Sequence, residues 1–377
     1  MASENVVTAA SLPADLVVEI LSRVPFKSFC RFKCVCKAWV AFSSDPHYRQ
    51  KLPKIPSFLH QGQSGTSAIQ LVSLSPNKQI DGALTFVPQY EQLHLVDCCN
   101  GLVLCLYKSS RSSADTCSFI VCNPATREWR ILPVPESHSH THETGHCGCL
   151  FTAFLAFDPS WSEQFYVFNI HEHCRTGTSK HEVFSSDLST WLVYDEWTRI
   201  RKILVNKPHS FIRGILHVQL NSMNTLVVEG LQAMSSSVAP HHSIIKMPEV
   251  SWDGCFGQSS AGFLQCAFPE EKCCSIEVFS FDACRPDKWS LKHRLNMQDA
   301  FGRCGLVTTE DYRSYRCIYA IVALDLERGS LFLFEIEPKK LLLYDIDTGK
   351  LSEVKDGHGS WSWHYHYYVA CYSKLPG

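Results

Sequence analysis

The sequence predicts an α+β multidomain chain: a small N-terminal three-helix module, then a large all-β domain built as a β-propeller of six or seven blades. Three observations predict it. Apolar residues in the first fifty positions recur at helical spacing, and the rest of the chain breaks into short β runs separated by turn residues. Along that second part a strand, a polar turn and a Trp-bearing strand recur. At 377 residues the chain is long enough for one small module plus one large domain, taking roughly 150 residues per domain as a prior.

The first helix is read from Leu12, Leu16, Val17, Ile20, Leu21 and Val24, spaced by three and four so that one face is apolar. Ser11 stands ahead of it as an N-cap, Pro13 occupies the first turn where a missing N–H costs nothing, and Pro25 ends the run. A second helix is expected over 26–35 and a third over 37–43, the latter carrying Trp39 and Phe42. Three short helices bury little on their own, so this module needs a partner. Two prolines within Leu52 to Ser57 bias the chain to an extended connector. The expected organisation is a flexible N-terminus over 1–10, the helical module over 11–50, a linker over 51–57 and the β domain over 58–377.

In the β domain, strands are expected at Leu102 to Tyr107, Ser118 to Cys122, Gln164 to Ile170, Thr225 to Glu229, Ile276 to Ser280, Cys317 to Asp325, Leu331 to Glu335 and Leu341 to Tyr344. The repeat runs from Val121 to Trp129, from Val183 to Trp191 and from Val278 to Trp289, with a fourth copy from Leu343 to Leu351 that has Leu in the Trp slot. A degenerate copy near Ile244 to Met247 gives a period of roughly 55 residues, slightly longer than the ~40 to 50 of propeller blades. One such sheet cannot cover its own faces; radial stacking does. Another copy between Ile69 and Leu95 brings the ring to six or seven, and a last strand over Tyr367 to Tyr372 is expected to close it.

Composition narrows the function. Lys+Arg 35 against Asp+Glu 37 leaves a formal charge of -2, which argues against a partner held by phosphate neutralisation. Charged residues are 19% and aromatics 12%, a balance that favours strands. No apolar run approaches a membrane span, no signal peptide is read at the start, and no Asn-x-Ser/Thr sequon occurs. Most of the 19 cysteines are therefore expected to be free thiols in a reducing compartment, cytoplasm or nucleus, serving as small buried apolar groups.

The segment from Leu12 to Trp39 closely resembles an F-box, with its Leu-Pro start, Ile20-Leu21 pair, Val24-Pro25 break and Val35-Cys-Lys-Ala-Trp39 end. Cys99-Asn-Gly-Leu-Val-Leu104 and the stretch from Cys122 to Pro133 are similar to the associated region of the large plant F-box family, often related to kelch-type propellers. The resemblance implies a substrate-recognition subunit that docks on a Skp-type adaptor of a cullin ubiquitin ligase and is not itself an enzyme. It implies adaptor-facing positions at Leu12, Pro13, Leu16, Ile20, Leu21, Val24, Pro25 and Trp39, and a target protein bound by the β domain. Phe29-Cys30 departs from the commoner Leu-Leu or Leu-Met pair there. The alternative is a non-degradative binding protein whose propeller recognises a glycan, a metal or a protein.

One stretch carries metal-type chemistry. His142-Glu-Thr-Gly-His146 spells the zincin motif, but two glycines and the lack of apolar periodicity make it a loop rather than a zinc-binding helix. His138, His140, His142, His146, Cys147 and Cys149 put N and S ligands within reach of one another as weak metal candidates. A solvated insertion between blades is the better reading, and neither a cofactor, a nucleic acid nor a membrane is expected as a partner. Asp347-Thr-Gly-Lys350 has no Gly-rich lead-in and reads as a turn. The aromatic run from Trp361 to Tyr368 reads as closure of the last blade.

Overall fold

The computed structural model describes residues 13, 16, 17, 19, 20, 56–62, 68–74, 80–109, 116–139, 150–172, 179–194, 209–220, 223–235, 237–248, 254–258, 262–270, 274–282, 289–302, 307–311, 314–354 and 365–376. The chain divides into two units, Met1–Ile55 and Pro56–Gly377. In the first, Leu16, Val17, Glu19 and Ile20 are helical, and the amides of Leu16 and Val17 both donate to the Pro13 carbonyl at 3.0 and 3.1 Å. Pro13 thus sits at the helix start, as its missing N–H allows. The second and third helices lie outside the described residues.

The second unit is a ring of six antiparallel sheets. It opens with β1 (Pro56–His60) and β2 (Gln70–Ser73). Blade 1 is β3 (Leu93–Cys99), β4 (Leu102–Ser109), β5 (Thr116–Asn123) and β6 (Glu128–Ile131), followed by the single turn α1 (Glu136–Ser139). Blade 2 is β7 (Leu150–Phe157), β8 (Phe165–Glu172), β9 (Ser179–Ser185) and β10 (Thr190–Tyr194). Blade 3 is β11 (His209–Ile212), β12 (Ile215–Gln219), β13 (Asn224–Glu229) and β14 (His241–Lys246). Blade 4 is β15 (Cys255–Gln258), β16 (Leu264–Pro269), β17 (Ser275–Phe281) and β18 (Trp289–Asn296). After α2 (Met297–Phe301) a hairpin, β19 (Val307–Asp311) and β20 (Ser314–Cys317), is inserted. Blade 5 is β21 (Tyr319–Asp325), β22 (Ser330–Glu335), β23 (Lys340–Asp345) and β24 (Lys350–Glu353), and β25 (Tyr365–Val369) is the last strand.

The ring closes on itself. β25 pairs antiparallel with β1, from Pro56↔Val369 to His60↔Tyr365, so the sixth blade joins both ends of the unit in the order β25-β1-β2. The innermost strands abut in the sequence β25, β3, β7, β11, β15, β21 and back to β25. Six blades settle the alternative of six or seven. The closing strand begins two residues earlier than the expected Tyr367 and ends at Val369. Pro56 and Ser57 belong to β1 rather than to the linker: a strand's first residue tolerates proline, and Pro56 still accepts from Leu74 N at 3.2 Å. The expected single strand from Cys317 to Asp325 is the end of β20 plus β21.

Every blade buries both faces, which is why the strands read as near-continuous apolar runs. Leu104, Phe119, Val167, Phe184, Phe211 and Leu216 share one core across blades 1 to 3; Ile212, Phe256, Cys266 and Phe279 join blades 3 and 4. Ile276, Val278, Leu331 and Leu342 fill the next interface, and Phe58, Phe332, Phe334 and Tyr365 the one after. Each such side chain removed from water contributes roughly 1.5–3 kcal/mol.

The Trp-bearing repeat is the hairpin between the third and fourth strands. Its four-residue turn recurs in blades 1, 2 and 5: the amides of Arg127, Ser189 and Gly349 donate to the carbonyls of Asn123, Ser185 and Asp345, each at 2.8 Å. The side chains of those same three residues accept amides inside the turn, which is why Asn, Ser and Asp stand there. Amides and hydroxyl of the Thr348 turn hold the half-buried Asp345 carboxyl below its ordinary range. The indoles then tie neighbouring blades. Trp191 donates Nε1 to Pro133 O at 2.6 Å beyond blade 1, and Trp289 donates to Lys246 O at 2.9 Å at the end of blade 3. In blade 3 the copy near Ile244 is degenerate because residues 230–240, with a 3₁₀ turn at Leu231–Ala233, replace the short turn.

Turns joining first to second and third to fourth strands all lie on one face of the ring, and β1 also begins there. The turns joining second to third strands, and the connections from the last strand of blades 1 to 5 to the first strand of the next blade, lie on the opposite face, whereas β2 ends on the first face and β3 begins on the second.

Candidate interaction sites

Of the positions implied to face an adaptor, Pro13, Leu16 and Ile20 are described and all three are exposed, Leu16 at 51% and Ile20 at 47%. Val17, on the other side of the same turn, is 5% exposed. Leu16 and Ile20 are four apart and stack on one helix face. Two large aliphatic side chains so placed form an apolar stripe that water covers poorly. Leu12, Leu21, Val24, Pro25 and Trp39 lie outside the described residues.

The His/Cys-rich connection leaves blade 1 on the face of long connections. Its first residues form the single turn α1. A buried carboxylate holds that turn: Glu182 accepts from Ser137 N at 3.0 Å and from Ser137 Oγ at 2.5 Å, and Asn169 Nδ2 donates to both Glu182 Oε2 (2.8 Å) and Ser137 Oγ (3.0 Å). Glu182 is 1% exposed, so three donors replace its lost water. His138 belongs to α1, while His140, His142, His146, Cys147 and Cys149 lie outside the described residues. Among the described residues no group of three or more His, Cys, Asp or Glu could hold a metal ion, and no helix is long and apolar enough to cross a membrane.

At the axis the structure assembles a group that sequence reasoning missed. An innermost strand has one unpaired edge, whose N–H and C=O groups need partners. Asp97, re-aimed by a β-bulge between Leu95 and Asp97, accepts from Leu155 N of β7 at 2.6 Å. His209 of β11 donates Nε2 to Leu155 O at 2.9 Å and lies 3.3 Å from Asp97 Oδ2; His366 Nδ1 of β25 lies 3.6 Å from Asp97 Oδ1. One carboxylate therefore links blades 1, 2, 3 and 6. Asn100 caps the next β7 carbonyl, Phe157 O, at 2.6 Å, and Gln61 caps Leu93 O and Leu95 N of β3, each at 2.8 Å. Asp325, Arg328 and Tyr367 join blades 5 and 6 in the same way, Tyr367 donating to the Asp325 carboxylate; burial first, then that carboxylate, push the phenol far above its usual range.

Most of the described thiols match their expected use. Of the nine described thiols outside disulfides, Cys99, Cys105, Cys122, Cys255, Cys266 and Cys371 are buried, Cys98 and Cys117 are half-buried, and Cys274 departs from the expectation by being exposed. Burial pushes the Cys98, Cys99 and Cys266 thiols well up, and a hydrogen bond with Cys105 followed by burial does so for Cys122. Such thiols stay protonated and inert at neutral pH.

Two buried histidines set an acid limit. Burial, followed by the nearby His242, lowers His181 to about 4, and burial lowers His217 to about 4 against the opposing pull of the Ser210 and Ile215 backbone. The folded state thus disfavours the imidazolium. Their contribution is complete above pH 6.5 and is lost as pH falls from 6.5 towards 4, by up to about 3 kcal/mol each. Urea midpoints measured from pH 7.5 to 4.5 are expected to fall across this window, with a shallower slope in His217→Gln; a slope unchanged in that variant would refute the assignment.

Compared with known proteins, residues 10–51 match the family model described as F-box domain. The chain is 27% identical over 196 residues to an F-box protein of Arabidopsis thaliana, covering 47% of this chain and 44% of that protein. It is 30% identical over 160 residues to a second one (39% and 34%), and 27% identical over 200 residues to a protein of the same plant named as F-box/kelch-repeat (50% and 47%). The matches thus span less than half the length of each relative. Among solved structures, a chain of the nidogen/laminin complex aligns with 85% of this chain and 100% of its own at a TM-score of 0.43 and 11% identity. TolB from Acinetobacter baumannii aligns with 84% of this chain and 66% of its own at a TM-score of 0.40 and 6% identity.

Proposed function

We propose that this chain, an F-box protein related to those of plants and carrying a six-bladed β-propeller, is the substrate-recognition subunit of a Skp-cullin-F-box ubiquitin ligase. The carrying observation is the F-box at residues 10–51 with Leu16 and Ile20 exposed on one helix face. In this reading Leu12, Pro13, Leu16, Ile20, Leu21, Val24, Pro25 and Trp39 meet the adaptor, and the propeller holds a target protein. The subunit works in the cytoplasm or nucleus and contributes no catalytic residue. Activated ubiquitin comes from other subunits, so positioning the target is the whole of its task.

The test is co-expression of the full chain with a Skp-type adaptor. A stable complex is expected, and Leu16→Asp with Ile20→Asp is expected to weaken it about 1000-fold, since two apolar anchors of an interface core are each worth about 2 kcal/mol or more. Both side chains are half exposed, so the thermal midpoint of the variant should stay that of the parent. Failure of the parent chain to bind any Skp-type adaptor would overturn the proposal.

A further inference from the structure

We propose that the short-turn face over blades 2 to 4 is a docking surface for a basic, amphipathic segment of a protein partner. Large apolar residues exposed in that face's turns cluster over these three blades: Trp161 (51%) and Leu188 in blade 2, Val238 (50%) in blade 3 and Phe263 in blade 4. Among the described residues, the corresponding turns of blades 5, 6 and 1 expose none.

The turns that carry them are fixed. Asp158 is buried, accepts from Ser160 N and Oγ at 3.0 and 2.6 Å, and reaches the next blade to accept from Arg213 N at 2.9 Å; Trp161 N donates to Asp158 O at 3.0 Å. The side chains then tile from blade to blade. A Cβ at Gly214 would lie 2.8 Å from Trp161 Nε1, and one at Gly262 2.5 Å from Arg213 Nε, so the indole and the guanidinium rest on bare backbone of the following blade. A rigid Trp-Arg-Phe strip is the composition from which binding hot spots are made.

Charge selects the occupant. Around the strip the described residues of these turns, with the last residue of β13, carry Glu163, Asp187, Glu229 and Asp282 against the single Arg213. Cationic side chains complement that rim, and the exposed faces of Trp161 and Phe263 receive cations as well as apolar groups. A segment alternating apolar with Lys or Arg residues satisfies both demands. Its role as a target-binding face rests on the receptor reading above; the binding itself does not.

The experiment titrates the full chain with three fluorescein-labelled twelve-residue peptides, alternating Leu/Lys, Leu/Glu or Ser/Lys, followed by anisotropy. The Leu/Lys peptide is expected to bind at least tenfold more tightly than either of the others. Trp161→Ala with Phe263→Ala should weaken it about tenfold or more. Glu163→Lys with Asp187→Lys, which alters charge without touching packing, should do the same and flatten the salt dependence. Equal binding of Leu/Lys and Leu/Glu, or Leu/Lys binding unchanged by the charge pair, would overturn the docking surface. All these variants should still capture the adaptor. Lost peptide selectivity with adaptor capture intact rejects this surface alone, and intact selectivity without adaptor capture rejects the receptor reading alone.

Discussion

Asn123→Asp is expected to destabilise the propeller by about 4 kcal/mol, the scale of an uncompensated buried charge. Asn123 is fully buried in the turn between β5 and β6, and its Nδ2 donates to both Cys371 O and Ser373 O at 2.9 Å. Its Oδ1 faces the other way, accepting from Ala125 N at 3.0 Å to hold the turn. Only an amide serves both sides. A carboxylate would turn an oxygen and a charge on two carbonyl oxygens, whereas Asn123→Ala, which only leaves those carbonyls without a donor, should cost about 3 kcal/mol. The residues beyond β25 depend on the same turn: Leu375 N donates to Glu128 Oε2 at 2.7 Å and Arg130 Nη1 reaches Pro376 O at 3.4 Å. Gly101 shares the constraint, for at φ +88 a Cβ there would sit 2.4 Å from that of Cys371. Urea unfolding gives the energy, and digestion by a carboxypeptidase gives the location. Residues 370–376 should become cleavable in Asn123→Asp before the blades lose their fluorescence, and equal resistance of variant and parent would refute the latch.

This latch was half legible. Asn123-Pro124 announces a turn locally, because an Asx side chain beside proline leaves few alternatives, and the Trp six residues on announces the following strand. The sequence of Asn123 does not say that its amide faces residues about 250 positions away. Blade number was legible only to within one for a similar reason. Blade 6 is assembled from both ends of the unit, blade 3 lacks its Trp, and the β19–β20 hairpin lengthens one interval, so the repeat spacing is uneven. The exposed apolar stripe needed only the helical period that sets Leu16 and Ile20 on one face and Val17 on the other. The axial group needed four strands far apart in the chain. Asp97 reads in sequence as a polar interruption of an apolar run, and His209 and His366 read as ordinary strand histidines until the ring brings them together.

That group carries the second large effect. Asp97→Ala should cost about 3–4 kcal/mol, because it strips the Leu155 amide of its acceptor and leaves His209 and His366 facing a void at the axis. Asp97→Asn distinguishes the two parts of that cost. An amide oxygen can still accept from Leu155 N, so the edge of β7 stays capped, while the charge between the two imidazoles is gone. If the carboxylate acts chiefly as an edge cap, Asn should restore nearly all the stability and a cycle with His209→Ala should show no coupling. The geometry favours the other outcome. His209 Nε2 stands 3.3 Å from the carboxylate while donating to the carbonyl of the very residue whose amide Asp97 accepts, so the three groups form one closed set. Asp97→Asn is therefore expected to lose about 1–2 kcal/mol and to couple to His209→Ala by about 1 kcal/mol. Additive losses in that cycle would reduce Asp97 to a cap on one strand and leave the closure of the ring to β25 and the tail.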